Sequence, residues 1–285
     1  MAKQYVEVVI RAEPTLSEEL SGALSQLGFE GFWEDGDVLK CYISASRWDG
    51  RIEDGLRTVV RMMLRPSSET DPPITIRTFE EENWNARWEA SIQPLHVTDH
   101  LVLAPTWHPY HAGKGETVVT IDPKMAFGTG YHESTRLMLR LLEQRVVPGM
   151  RMLDIGTGTG VLAITAILLG AHSATGIDTD EWAYANAGEN ARLNGVEDRL
   201  NILLGDIHSA PPGPFEIVAS NIQPSVIEPM LGEMVRRLHP LGTLLLAGLL
   251  DSDRDPMTAH LHALGLSVRS ELRENEWIAL DAIHT

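Results

Sequence analysis

The stretch Met152-Leu153-Asp154-Ile155-Gly156-Thr157-Gly158-Thr159-Gly160 decides the fold. Its first four residues predict a short apolar strand, and the apolar run over 161–169 predicts a helix directly after it. Glycines at such a junction let the backbone turn tightly and approach a ligand, while the helix N-terminus offers unpaired N–H groups. A lone G-x-G is weak, but the context here is specific. A second strand, Ala174-Thr175-Gly176-Ile177-Asp178, follows, and Asp178 closes it where an acid accepts hydrogen bonds from ribose hydroxyls. A dinucleotide fingerprint would need glycine at 161, and the residue is Val161. A nicotinamide oxidoreductase is therefore disfavoured.

Working outward, a helix is predicted over 180–194, ending at Asn194-Gly195, with strands at 200–204, 215–220 and 243–247. This alternation predicts an α/β domain with a parallel sheet covered on both faces. Residues 266–273 and 277–283 flank Glu274-Asn275-Glu276 and read as an antiparallel pair. Upstream, residues 4–11 alternate as a strand, and Thr15 with Glu18 suggests a capping box for a helix that stops at Gly28. Strands at 29–34 and 37–44 are joined by Asp35-Gly36, and a helix over 51–64 precedes a closing strand, 74–79. The order βαββαβ is the ferredoxin-like plan. Residues 80–92 read as a short acidic helix with Trp84 and Trp88 one turn apart. They either pack on a neighbouring domain or belong to a connector whose orientation changes. The expected organisation is a small domain over 1–79, a linker helix over 80–92 and a catalytic domain over 93–285.

Composition bounds the function. The chain has 285 residues, about twice the usual ~150-residue domain. Lys plus Arg is 23 against 40 for Asp plus Glu, a net charge of −17, which disfavours a nucleic-acid groove and suits a basic partner. Cys41 is the sole cysteine, so an intrachain disulfide and a multi-cysteine zinc site are excluded, and the residue is expected in the core. His108, His111 and His172 lack ligand spacing, and no metal is expected. No apolar run reaches the ~18 residues of a membrane span, and the first ten residues lack the features of a secretory leader. A soluble cytoplasmic protein is expected.

Two further segments narrow the chemistry. Residues 122–136 hold Met125-Ala126-Phe127-Gly128-Thr129-Gly130-Tyr131-His132-Glu133-Ser134-Thr135, a glycine loop ahead of a Ser/Thr-capped helix that could close over a ligand. Ala219-Ser220-Asn221-Ile222 places an asparagine at a strand's C-terminal end, where open α/β sheets bind ligands. The G-x-G-x-G form after Asp154 resembles motif I of class I S-adenosylmethionine-dependent methyltransferases. With Gly176-Ile177-Asp178, Ser220-Asn221-Ile222 and the loop at 125–135, the chain resembles the ribosomal protein L-eleven methyltransferase (PrmA) family over nearly its whole length.

The resemblance implies a seven-stranded Rossmann-like sheet, S-adenosylmethionine as cofactor and S-adenosylhomocysteine as product. It implies N-methylation of lysine side chains and the N-terminal amine of a large-subunit ribosomal protein. That substrate is expected free before assembly, and the enzyme is expected as a monomer. It makes Thr135, Gly156, Gly158, Asp178 and Asn221 cofactor-contacting positions and sets Asp206 against the adenine, although Asp206 also reads as a simple helix cap. Asn221 is the residue expected to orient the attacking amine. Phe127 either walls the methionine end of the cofactor or packs its own loop. His132 orients the loop or helps take a proton, or else is a solvated loop histidine. Tyr131 and Gln223-Pro224 depart from the family pattern, at the substrate mouth rather than the cofactor site. Two alternatives stay open: methylation of another protein lysine or a small amine, and a non-catalytic assembly factor that binds S-adenosylmethionine. Asp178, Asn221 and the glycine loop weigh against the second.

Overall fold

A computed structural model describes residues 4–12, 14–64, 74–80, 93–122 and 130–285. Most of the expected linker helix and Phe127 lie outside the described residues. The chain divides into two compact units, Met1–Trp84 and Asn85–Thr285.

The first unit contains β1 (Gln4–Arg11), α1 (Pro14–Gln26), β2 (Gly31–Asp35), β3 (Val38–Ser44), α2 (Gly50–Leu64) and β4 (Ile74–Glu80). Its sheet runs β2-β3-β1-β4, antiparallel throughout. The alternation in β1 puts Val6, Val8 and Ile10 on the inner face, where they meet Leu20, Leu24, Leu56 and Val60 from the two helices. Cys41 is fully buried among them, and burial pushes its thiol up to about 12. Two details differ from the sequence reading. α1 begins at Pro14 rather than after a Thr15 cap, because a first-turn N–H is unpaired anyway and proline gives up nothing by lacking one. The hairpin loop is Gly36-Asp37, with Asp35 already paired to Val38 and positive φ (61°) falling on Gly36.

The second unit opens with a small sheet of β5 (Leu95–His96), β6 (Leu101–Ala104) and β7 (Thr117–Thr120). Then follow α3 (Glu133–Arg145), β8 (Arg151–Ile155), α4 (Val161–Leu168), β9 (Ser173–Asp178), α5 (Glu181–Leu193), β10 (Leu200–Leu204), β11 (Phe215–Asn221), β12 (Leu238–Leu250), β13 (Leu266–Glu274) and β14 (Trp277–His284). The large sheet runs β10-β9-β8-β11-β12-β14-β13. β8 to β12 are parallel, and β14 lies antiparallel between β12 and β13. One apolar cluster covers one face through Leu137, Leu141, Ile164 and Ile167, and a second covers the other through Ile227, Met234, Met257 and Leu261. This is a mixed α/β fold around a large, mainly parallel sheet.

The chain proceeds from β8 to β9 and β10 on one side and resumes at β11 on the other. The gap beyond the carboxyl ends of β8 and β11 is thus a switch point, where crossing connections leave a crevice. α3 packs against β12, β14 and β13, reaches this region with its N-terminal end, and is fastened at both ends. Arg145, in its last turn, donates from Nε to Asp281 Oδ2 at 2.7 Å. Asp281 is fully buried in β14, and Arg269, Thr243, Ser270 and Arg145 hold its carboxyl below the usual range against the opposing effect of burial. Near the other end, Arg136 and Arg140 grip Glu274 at 2.9 and 2.7 Å.

Candidate functional site

Beyond Ile155 the chain makes three left-handed turns, with φ of +73° at Gly156, +55° at Gly158 and +81° at Gly160, which caps α4. A side chain at Gly156 would meet Ile222 Cγ2 at 2.7 Å, so glycine is required there by close approach as well as by φ. The loop is pinned from below. Gly156 and Thr157 N–H groups donate to the Ile177 carbonyl, and Thr157 Oγ1 donates to Asp154 Oδ2 at 2.7 Å. Asp154 is fully buried, its Oδ1 has no partner among the described residues, and burial pushes the carboxyl up to about 7.

Asp178 ends β9 facing this loop. One carboxylate oxygen accepts from Gly158 N–H at 2.9 Å and the other from Asp180 N–H at 3.0 Å. Each oxygen keeps a lone pair for a further donor, so the carboxylate is both aimed and available. Its own carbonyl accepts from Gly205 N–H at 2.8 Å, which brings the end of β10 alongside. Asp206, next in the chain, caps the 3-10 turn Ile207–Ser209 by accepting from His208 N–H at 3.0 Å. It is therefore a cap and a wall residue at once.

Asn221 closes β11 and is buried. Its Nδ2 donates to Thr135 Oγ1 at 3.1 Å, while its Oδ1 has no hydrogen-bond partner among the described residues. Leaving a buried amide oxygen unmet costs about 1–3 kcal/mol, so this atom is a candidate acceptor for a further donor. The Asn221-Ile222 corner lies between two glycines. Gly156 flanks it on the β8 side, and on the β12 side Gly248 (φ +78°) sits where any Cβ would collide with the Ile222 carbonyl.

One cavity of about 540 Å³ lies here. Gly156, Gly158, Asp178, Asp206, Asn221 and His132, all singled out from the sequence, meet there. Thr135 does not reach it directly: it is fully buried and touches Asn221. Phe127 lies outside the described residues. His132 is a half-buried helix cap rather than a solvated loop residue, and it replaces the expected Ser/Thr cap of α3. Its Nδ1 accepts from Ser134 N–H at 3.3 Å and meets Ser134 Oγ at 2.8 Å, while its ring lies edge-on to Trp277, centroids 4.5 Å apart. Tyr131 OH donates to the Gln93 carbonyl, and Gln223 lines the cavity just before the helical turn Pro224–Ile227. No group of three or more metal-binding side chains occurs among the described residues.

Several contributors were missed in the sequence. Trp277 and Gly248 line the cavity, and Gly248 sits at a register shift between Leu246 and Leu249 of β12. A glycine inside an apolar strand signals such a bulge. Met230 and Val226 carried no signal of their own.

A cavity with a doubly held carboxylate, an unmet buried amide oxygen and a glycine-cradled loop fits a ribose-bearing, amine-bearing ligand. Comparison with known proteins agrees. The family model for ribosomal protein L11 methyltransferase (PrmA) matches residues 4–285. A ribosomal protein L11 methyltransferase from Pelotomaculum thermopropionicum is 35% identical over 307 residues, covering 98% of each chain. One from Chlorobaculum tepidum is 33% identical over 279 residues, covering 96% of this chain and 95% of the relative. Among solved structures, a ribosomal protein L11 methylase from Lactobacillus delbrueckii subsp. bulgaricus superposes with a TM-score of 0.64 at 25% identity, over 68% of this chain and all of the other.

Proposed function

The chain belongs to the ribosomal protein L11 methyltransferase family, and from that premise we propose that it methylates lysine side-chain and N-terminal amines of L11, with S-adenosylmethionine as donor. The observation that carries the reading is that Asn221, whose buried Oδ1 has no partner among the described residues, lines the same cavity as the held Asp178 carboxylate.

Asp178 would take the ribose hydroxyls, with Gly156 and Gly158 offering a backbone surface free of side chains, and Asp206 would face the adenine. S-adenosylmethionine supplies an electrophilic methyl group whose transfer to an amine needs no metal and no covalent enzyme intermediate. The task left to the chain is alignment, worth roughly 7–11 kcal/mol in well-positioned reactions. Asn221 Oδ1 accepts an N–H of the incoming amine and turns its lone pair toward the donor. Thr135 Oγ1 accepts from the Asn221 amide nitrogen, which would leave the amide oxygen for the incoming amine. The amine must arrive neutral, and an apolar mouth of Ile222, Val226, Met230 and Trp277 disfavours its charged form. His132, whose ring lies edge-on to Trp277, would pass the released proton outward.

The finer organisation follows from the same reading. The β2-β3-β1-β4 order supports a ferredoxin-like domain over 1–79 that holds the substrate, joined through 80–92 to a seven-stranded methyltransferase domain over 93–285. A net charge of −17 repels ribosomal RNA and favours free L11 as the substrate. The enzyme is proposed to work as a monomer. No helix among the described residues is long and apolar enough to cross a membrane, in keeping with work in the cytoplasm. The test is incubation of purified L11 with the protein and S-adenosylmethionine, read by intact mass. Added mass in 14-Da steps is expected; an unchanged L11 together with methylation of another protein or a small amine would overturn the substrate.

A further inference from the structure

Three asparagines that the chemistry above does not use stand on one face of α5 and at its end, at Asn186, Asn190 and Asn194. Asparagine is a poor residue for a helix interior, because its amide competes for backbone groups. Here the competition is spent on another segment. Asn194 makes a closed pair with Thr120, donating to its carbonyl at 2.7 Å and accepting its N–H at 2.8 Å. Asn186 donates to the Asp122 carbonyl at 3.0 Å. Asn190 does something different. Its Oδ1 accepts from Asp122 N–H at 3.0 Å, and its Nδ2 donates to the carbonyl of Thr159, inside the glycine loop, at 2.9 Å. Asn190 is fully buried, so neither bond is shared with solvent.

We propose that Asn190 is a positioning residue for the cofactor site, a bracket that ties the glycine loop to the chain leaving β7. The loop needs such a tie. Gly156, Gly158 and Gly160 all sit at positive φ, and glycine has wide conformational freedom on both sides of the map, so the loop's shape must be selected from outside. Thr159 lies next to Gly158, whose N–H aims the Asp178 carboxylate. Release of the Thr159 carbonyl lets that N–H drift, and Asp178 loses one of its two fixed donors. Asn190 thus acts on the ligand through two backbone groups and touches none of it. The inference rests on reading the cavity as the S-adenosylmethionine site.

The decisive comparison is Asn190→Asp against Asn194→Ala in the full-length protein. Aspartate is isosteric: it keeps the acceptor for Asp122 N–H but replaces the donor to Thr159 with an oxygen facing an oxygen. Calorimetry with S-adenosylmethionine is expected to show affinity about tenfold weaker, with kcat at saturating cofactor within about twofold of the parent. Asn194→Ala removes both contacts to Thr120 and the bond from Asn194 Nδ2 to the Asn190 carbonyl at 2.7 Å, but leaves the Asn190 side chain and its bond to Thr159 in place; it is expected to lower the melting temperature while leaving the affinity within about twofold. Asn190→Ser, smaller and uncharged, is read in the same way and separates the lost donor from the added charge. Asn190 variants that bind like the parent, lose no more affinity than Asn194→Ala at an equal drop in melting temperature, or no longer melt cooperatively overturn the proposal, the last by assigning Asn190 to the core alone. Failure of the parent itself to bind S-adenosylmethionine would instead overturn the reading of the cavity.

Discussion

Asp178→Asn isolates the ribose contact, because the structure separates what the change does to the free protein from what it does to binding. The carboxylate receives Gly158 N–H on one oxygen and Asp180 N–H on the other, at 2.9 and 3.0 Å. Asparagine has a single oxygen, so either orientation turns an NH₂ group onto a backbone N–H. The stranded donor costs about 1–3 kcal/mol, and this cost is present with or without ligand. It appears as a fall in melting temperature, at about 2–4 °C per kcal/mol for a domain of this size. The second loss appears only on binding. The ribose hydroxyls exchange an ionised acceptor for a neutral or reversed one, worth about 1.5–3 kcal/mol, or roughly 10- to 150-fold in Kd. Calorimetry with S-adenosylmethionine measures the second and a thermal melt the first. A folded variant whose Kd stays within about twofold of the parent refutes the role of Asp178, however far its melting temperature falls.

Asn221→Ala should lower kcat at least about tenfold at saturating substrates, since the lost acceptor orients the amine in the transfer step; steady-state kinetics with full turnover would remove that role. Asp154 carries a pH signature. Its folded carboxyl titrates near 7 against an ordinary 3.8, so between those values the folded state holds a proton that the unfolded state has released. Stability therefore falls as pH rises through that window, by on the order of 4 kcal/mol, and is flat above it. Asp154→Asn should abolish the slope, and parallel denaturation profiles for parent and variant across pH 4–8 would show that another group sets it. A shortened chain beginning near Glu80 should keep near-parent cofactor affinity but methylate intact L11 far more slowly, with partial recovery at high L11 concentration. Equal rates on the same purified L11 would show that residues 1–79 serve only as a stabilising cap.

The parts of this molecule that could be read in its sequence are those where one local requirement dominates. The β8–glycine loop–α4 passage shows because left-handed turns admit little besides glycine, and Asp178 shows because it ends the very next strand. The small sheet of β5, β6 and β7 does not show: its strands are two to four residues long, and the connection after β6 is rich in histidine and polar residues. His132 misled because histidine is uncommon as a helix cap; here Nδ1 takes the place of a hydroxyl oxygen. Trp277 was visible as a residue but not as a wall of the cavity, since its position depends on β14 returning between two other strands. The asparagines of α5 recur every four residues, a pattern open to view whose meaning lay in a partner segment far away in the chain.

That return of β14 also sets an order of events during synthesis. β13 leaves the ribosome before β14, yet it touches the sheet through β14, which must enter between β12 and β13. Until Trp277 and the strand behind it have emerged, β12 has an open edge, α3 lacks the Asp281 anchor for Arg145, and the cavity lacks one wall. A nascent chain can complete β8 to β11 with the glycine loop and Asp178 early, but non-local pairing of this kind waits for its last partner. The last wall of the cavity is thus acquired late, only once β14 has emerged and paired between its two neighbours.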